Sequence, residues 1–374
     1  MSKQNLNLLE KPYSEVKAMF PVLSFLYLIP SFLLSGLIVY IIIPKIIKSC
    51  RAHGLMVPDA HKPDKPEVAE AGGISILIAF TFSILLIVLL QSILTEIISD
   101  QAFEELFGIT ATALVNHNLL AAVLSVVIAG LIGFLDDVFK IRWRSKILLG
   151  FLPALPLMAL RAWKSTVYIP LFGIGAVPFG LLYPLVIIPL AVNFAFNSYN
   201  MVAGMNGLET GLGIISLSTI LVAAIIPPLI LPEYPVNLDV IIFVICLIGA
   251  LVVFLRYNWT PAKIFVGDTG TLTIGTAIIV ALVIGNMEWL AVGIFLIYLL
   301  NFLLFFVYLL TKQEAKLATV DEEGNLVAPC PYTVYWIIPY FRKGTTEKQN
   351  VLALFGIQTL TCIFGLLLFL SAAI

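Results

Sequence analysis

Ten stretches of this chain are apolar over roughly the length of a membrane crossing: residues 20–47, 72–94, 119–135, 147–162, 181–200, 210–231, 238–255, 270–286, 289–311 and 350–372. A helix rises about 1.5 Å per residue, so about 20 apolar residues cross the hydrocarbon of a bilayer. The third and fourth stretches are short. Between them lie charged or Pro/Gly-rich connections, such as Pro170 to Gly180, which read as short loops. The pattern predicts an all-α polytopic membrane protein of about ten transmembrane helices, with residues 1–374 forming one integral domain.

Charge orients these spans. Sixteen of the 21 Lys and Arg residues fall in the connections after the first, third, seventh and ninth spans, among them Lys45, Arg51, Lys62, Lys140, Lys146, Arg256, Lys263, Lys312 and Arg342. The opposite side holds Lys3, Lys11, Lys17, Arg161 and Lys164, with an acidic loop of Glu96, Asp100, Glu104 and Glu105. By the positive-inside rule the basic face is cytoplasmic. Both termini are then on the non-cytoplasmic side, and the cytoplasmic loops are about 48–71, 136–146, 200–209, 256–269 and 312–349. No fixed-period repeat relates the two halves.

Composition agrees. Hydrophobic residues make up 60% of the chain and charged residues 11%, against about 25% charged in soluble domains. A net charge of −1 gives no basic excess for nucleic acid. Cys50, Cys246, Cys330 and Cys362 lie far apart and form neither a disulfide framework nor a zinc motif.

Three polar constellations interrupt the apolar background. The first is Asp136-Asp137 at the end of the third span, followed by Lys140, Arg142, Arg144 and Lys146. Paired carboxylates at a membrane boundary suit a divalent cation or a general base; a charged turn ending a helix has the same look. The second runs from Asn193 through Asn197, Asn200 and Asn206-Gly207 to Glu209. Asn197 and Asn200 share a helix face. One such Asn serves well as interhelical hydrogen-bond glue; four fit that role poorly. The third is Gly267-Asp268-Thr269-Gly270, where Asp268 reads either as a helix N-cap or as a metal ligand beside phosphate-binding backbone. The loop from Lys45 to Gly73, with Asp59, His61, Lys62 and Glu70, reads as a solvated surface. The last long loop contains Pro329-Cys330-Pro331, then Tyr332, Tyr335, Trp336, Tyr340, Arg342 and Lys343. Aromatics beside basic residues suit a segment lying at the headgroups. Orientation places all three constellations on the cytoplasmic face, where Asp, Asn and Lys around one ion would suit phosphoryl chemistry.

In this order, GFLDDVFKIRWRSK (133–146), NSYNMVAGMNGLE (197–209) and KIFVGDTG (263–270) resemble the polyprenyl-phosphate N-acetylhexosamine-1-phosphate transferases. The likeness is greatest to the eukaryotic and archaeal branch that acts on dolichyl phosphate, and extends weakly to Glu70-Ala71-Gly72-Gly73 and Pro329-Cys330-Pro331. The motifs cover about a tenth of the chain, the expected topology nearly all of it. The resemblance implies transfer of GlcNAc-1-phosphate from UDP-GlcNAc to a polyprenyl phosphate, releasing UMP. It implies Mg2+, with Mn2+ as a substitute, on Asn200 and Asp268. Asp136 and Asp137 would lie beside the metal and the lipid phosphate, and Lys146 would neutralise phosphate charge. Asn206 would contact the uracil, Glu70 would line the nucleotide pocket, and Asn197 would support the metal–phosphate region. Arg342 is the nearest basic residue in the loop expected to recognise the sugar. The implied partners are a UDP-sugar, a polyprenyl phosphate and membrane lipid, with a homodimer allowed. The implied location is a cell membrane or endoplasmic reticulum membrane, with the active site cytoplasmic.

One departure stands out: the last loop lacks the Arg/His-rich stretch common in this branch and the His-x-His motif of the bacterial branches. A secondary transporter is the rival of another class. It requires polar residues at mid-membrane and repeated halves, whereas these motifs sit at helix ends on one face. Another UDP-N-acetylhexosamine donor is the rival within the same chemistry.

Overall fold

The computed structural model describes residues 28–97, 117–169, 174–231, 234, 236–311 and 319–373. Lys3, Lys11, Lys17, Asp100, Glu104, Glu105, Lys312 and Lys316, and the start of the first expected span, lie outside the described residues.

Among the described residues, seven helices are long and apolar enough to cross a membrane: α1 (Ile29–Ala52), α2 (Gly73–Ile97), α3 (His117–Phe139), α7 (Leu208–Ile230), α8 (Leu238–Asn258), α9 (Gly267–Gly285) and α13 (Glu347–Ala373). A bent pair, α10 (Glu288–Ile294) and α11 (Leu296–Thr311), meets at 55° and together has the length of an eighth span. Leu33, Leu37, Leu85, Leu303, Leu360 and Leu367 are among many exposed large apolar side chains. Such a surface needs lipid as its solvent, so this is an integral membrane protein.

Two expected spans take another form. Residues 147–162 break into α4 (Trp143–Leu149), a 3-10 turn at Leu152–Ala154 and α5 (Leu155–Ala159). Pro153 and Pro156 sit at the starts of the last two pieces, where the missing N–H of proline is tolerated only in a first turn. Residues 181–200 form a π-turn at Tyr183–Ile187 followed by α6 (Ile188–Asn200), with prolines at both junctions. Hydropathy registers none of these breaks.

The described residues also form three two-stranded antiparallel ribbons: β1 (Met56–Pro58) with β2 (Glu67–Ala69), β3 (Thr166–Ile169) with β4 (Gly175–Pro178), and β5 (Thr319–Val320) with β6 (Leu326–Val327). In the last long loop, α12 (Val334–Phe341) buries Val334 and Trp336 and leaves Tyr340 and Phe341 exposed.

Helix α9 is the axis of the molecule. Every residue from Thr269 to Gly285 is buried, against α3, α6, α2, α7 and α8. Small residues allow the approach. A Cβ on Gly133 of α3 would lie 2.5 Å from the Asp268 carbonyl oxygen and 2.6 Å from Thr269 Cα. Gly73 packs in the same way on the Gly270 backbone, and Gly275 on Ala195 and Tyr199. Close backbone contact through small residues is the common device of membrane helix packing.

Candidate active site

The start of α9 and the ends of α3 and α6 meet at one end of the bundle. Gly267 opens α9 at φ +67, and a Cβ there would meet the Glu70 carbonyl oxygen and the Asp137 carboxylate at 2.9 and 3.0 Å. Only glycine takes that conformation at low cost in so tight a place. Asp268 follows it, in the first helical turn.

The Asp pair divides its work. Asp137 accepts hydrogen bonds from Asp268 N at 2.8 Å, Thr269 N at 2.9 Å and Thr269 Oγ1 at 2.5 Å. It caps the free N–H groups of α9 from outside that helix, where negative charge is favoured by the dipole. Asp136 is buried, accepts from Ile141 N at 2.7 Å and pairs through Oδ2 with the Lys146 ammonium. Lys146 also lies 3.2 Å from Asp268 Oδ2. One ammonium therefore bridges Asp136 and Asp268. Burial opposes the Lys146 charge, but Asp268 and Asp136 more than offset it and hold its pKa above the usual lysine value.

Asn200, the last residue of α6, donates Nδ2 to Asp268 Oδ1 at 2.5 Å and to Thr271 Oγ1 at 2.7 Å. The Asn200 side chain is thereby held beside the same carboxylate. Asp136, Asp137, Lys146, Asn200 and Asp268, which lie in three separate motifs, thus form one constellation.

The other candidates lie around it. Glu70 pairs with Lys140 at 3.2 Å, and its loop is stitched to the lead-in of α9. Phe265 N donates to Ala69 O at 2.7 Å, Gly72 N to Phe265 O at 3.0 Å and Gly73 N to Val266 O at 2.8 Å. Asn197 donates to the Asn193 backbone and side-chain oxygens at 3.0 and 3.1 Å, while Asn193 Nδ2 reaches Ile147 O at 2.6 Å. These two asparagines hold α4, which carries Lys146, against α6. Asn206 is buried in a second polar cluster with Asp59, Lys62 and Glu347. Arg342 is exposed at the end of α12.

Reading the first loop as a solvated surface requires correction: Asp59 is 2% and His61 6% exposed. Burial also pushes the His61 imidazole pKa down. Asn258 and Asn301 escaped the sequence reading. Asn258 accepts from Thr210 Oγ1 at 2.8 Å and donates to Ile264 O at 3.0 Å. Asn301 donates to Met201 O at 3.1 Å and accepts from Val334 N at 3.0 Å. A lone Asn inside an apolar run was the available signal.

The sequence profile of glycosyl transferase family 4 matches residues 119–286, the span that carries the whole constellation. A Saccharolobus solfataricus protein provisionally named UDP-N-acetylglucosamine–dolichyl-phosphate N-acetylglucosaminephosphotransferase is 30% identical over 90% of this chain and 95% of its own length. The chain belongs to glycosyl transferase family 4. A Dictyostelium discoideum relative with the same name, without the provisional mark, is 27% identical over 72% of this chain and 69% of its own. A phospho-N-acetylmuramoyl-pentapeptide-transferase of Limosilactobacillus reuteri is 33% identical over 50% of this chain and 57% of its own.

Proposed function

We propose that this family 4 protein transfers GlcNAc-1-phosphate from UDP-GlcNAc to a polyprenyl phosphate of the dolichyl type, giving a GlcNAc-diphospho-lipid and UMP. The observation that carries the reading is the bridge of Lys146 between Asp136 and Asp268, with Asn200 on Asp268. The names of the relatives supply the substrates: one is matched over nearly its whole length, the other over about two thirds of it. We further propose about ten crossings, both termini on the non-cytoplasmic side and the site on the cytoplasmic face, from the distribution of Lys and Arg.

The donor set suits magnesium. Asp268 and Asn200 offer hard oxygens, and this ion binds through one or two carboxylates plus substrate phosphates. When bound there, the ion would supply charge neutralisation at the donor diphosphate.

The chain's own residues perform the remaining tasks. A lipid phosphate oxygen attacks the β-phosphorus of the sugar nucleotide. A new P–O bond forms, the P–O bond to the bridging oxygen breaks, and UMP leaves. Lys146 supplies a fixed positive charge for the phosphate oxygens. Asp136 holds Lys146 in position, and Asp137 fixes the backbone that presents Asp268. Catalysis of this kind rests on positioning and charge.

The test is UMP release from UDP-GlcNAc by purified protein with dolichyl phosphate, with and without Mg2+. Release that needs both lipid and metal supports the proposal. Release only with another UDP-sugar keeps the mechanism and changes the donor. No release with any sugar nucleotide refutes it. Asp268→Asn and Asn200→Ala should remove most turnover in folded protein.

A further inference from the structure

A second buried polar cluster lies outside the carboxylate constellation, where the first loop, the turn before α7 and the start of α13 meet. Asp59, Asn206 and Glu347 are 2%, 2% and 5% exposed. Asn206 donates Nδ2 to Asp59 Oδ2 at 2.8 Å and its backbone N–H to Glu347 Oε1 at 2.8 Å. The Lys62 ammonium pairs with Glu347 Oε2 and lies 3.7 Å from Asp59 Oδ2. Two carboxylates thus grip one asparagine, and one ammonium lies between them.

Such a network is a poor way to gain stability, since buried ion pairs barely repay their desolvation. It is a good way to fix an orientation. An asparagine amide presents a donor at one end and an acceptor at the other, and its neighbours decide which end faces where. A carboxylate accepts only, so Asp59 obliges Asn206 to turn Nδ2 inward. The remaining polar atom of the side chain, Oδ1, is then fixed as an acceptor. Uracil carries a donor N–H at N3; cytosine carries a bare acceptor nitrogen there.

We infer that Asp59, Lys62 and Glu347 form a latch that sets the amide orientation of Asn206, and with it the preference of the donor site for uracil over cytosine. This rests on the reading above in which Asn206 faces the base. Asp59 and Glu347 are positioning residues: they act through Asn206. His61 borders the latch, with one ring nitrogen within 4.8 Å of carboxylate oxygens of Asp59 and Glu347.

The test is equilibrium binding of UMP and CMP to full-length protein in detergent, with melting temperatures alongside. The isosteric Asp59→Asn change leaves a side chain that either accepts or donates, so the Asn206 amide is free to turn over. The preference for UMP over CMP should narrow about tenfold, equivalent to about 1.4 kcal/mol, through weaker UMP binding. An unchanged preference, or equal weakening of both nucleotides with a lowered melting temperature, overturns the latch. Should Asp59→Asn not fold, Glu347→Gln carries the test: a narrowed preference for UMP over CMP supports the latch and an unchanged preference overturns it. Wild-type protein that binds no UMP sinks the functional reading as well, whereas wild-type binding with unaltered variants sinks the latch alone.

Discussion

Replacing Gly133 by alanine tests whether the bundle holds the Asp residues at a set distance. Inside a helix this change normally stabilises by about 1 kcal/mol, because alanine is the better helix former. Here the sign should reverse. The new Cβ would lie 2.5 Å from the Asp268 carbonyl oxygen and 2.6 Å from Thr269 Cα. Both are backbone atoms in the first turn of a helix buried on all sides. Ordinary contact begins at 3.4 Å, so α3 and α9 must part by about 0.9 Å. Overpacking of this kind costs about 1–3 kcal/mol, which leaves a net destabilisation of about 0–2 kcal/mol. Activity should suffer more. Asp136 and Asp137 ride on α3 and Asp268 on α9, so the same shift separates the charges that Lys146 bridges. A misplacement near 1 Å costs about 10²-fold in rate. UMP release at saturating donor and lipid should therefore fall about 100-fold in protein that still elutes as one species. Gly356→Ala in α13, where a Cβ meets nothing within 4 Å, should leave activity intact and stabilise rather than destabilise the fold. Gly133→Ala with turnover within about threefold of wild type, under about 0.7 kcal/mol, would refute the argument.

Asp137→Asn should also cut turnover more than tenfold, about 1.4 kcal/mol, because an amide cannot accept all three hydrogen bonds from Asp268 and Thr269. If Asp137 only positions Asp268, the Mg2+ concentration for half-maximal rate should rise in parallel; a rate loss at unchanged metal dependence contradicts that assignment. Asn301→Leu leaves Met201 O and Val334 N without their partner, at about 1–3 kcal/mol for each buried group, and should lower the melting temperature; an unchanged melt refutes it. Burial holds the His61 pKa below the usual imidazole value of about 6.5, so below that pH the unfolded chain binds the proton more readily than the folded one. Stability should fall as pH drops through about 6.5 and below, and His61→Asn should flatten the fall in a melting series from pH 7.5 to 5.5. Equal slopes for both proteins would exclude His61 as the cause.

The spans that hydropathy delimits well are those that run unbroken, such as α2, α7 and α8. It delimits poorly where proline interrupts the regular α-helix, as at Pro153, Pro156 and Pro184, because a window average registers apolarity and not a missing N–H. The candidate site was legible as three motifs, because an Asp or Asn in an apolar chain is costly and therefore conspicuous. The different tasks of Asp136 and Asp137 were not legible. Two adjacent identical letters point to different sides of a helix, and only the α9 backbone shows which of them caps it. The burial of Asp59, His61 and Lys62 was hidden for the opposite reason. A polar loop looks solvated in sequence, and the carboxylate that encloses it, Glu347, comes from the far end of the chain.

The complete enclosure of α9 bears on how the protein is made. With Thr269, Thr271, Thr273 and Thr276 along it, its mean hydropathy of 1.7 is the lowest of the seven long spans. It is the span that gains least from leaving the translocon for bare lipid. Yet most of the walls it packs against, α2, α3, α6, α7 and α8, precede it in the chain. When α9 emerges from the ribosome those walls have already been synthesised, and its threonines meet protein on arrival. The order of the genetic message thus doubles as an assembly schedule, in which the polar-studded span that carries Asp268 is delivered after the slot that receives it.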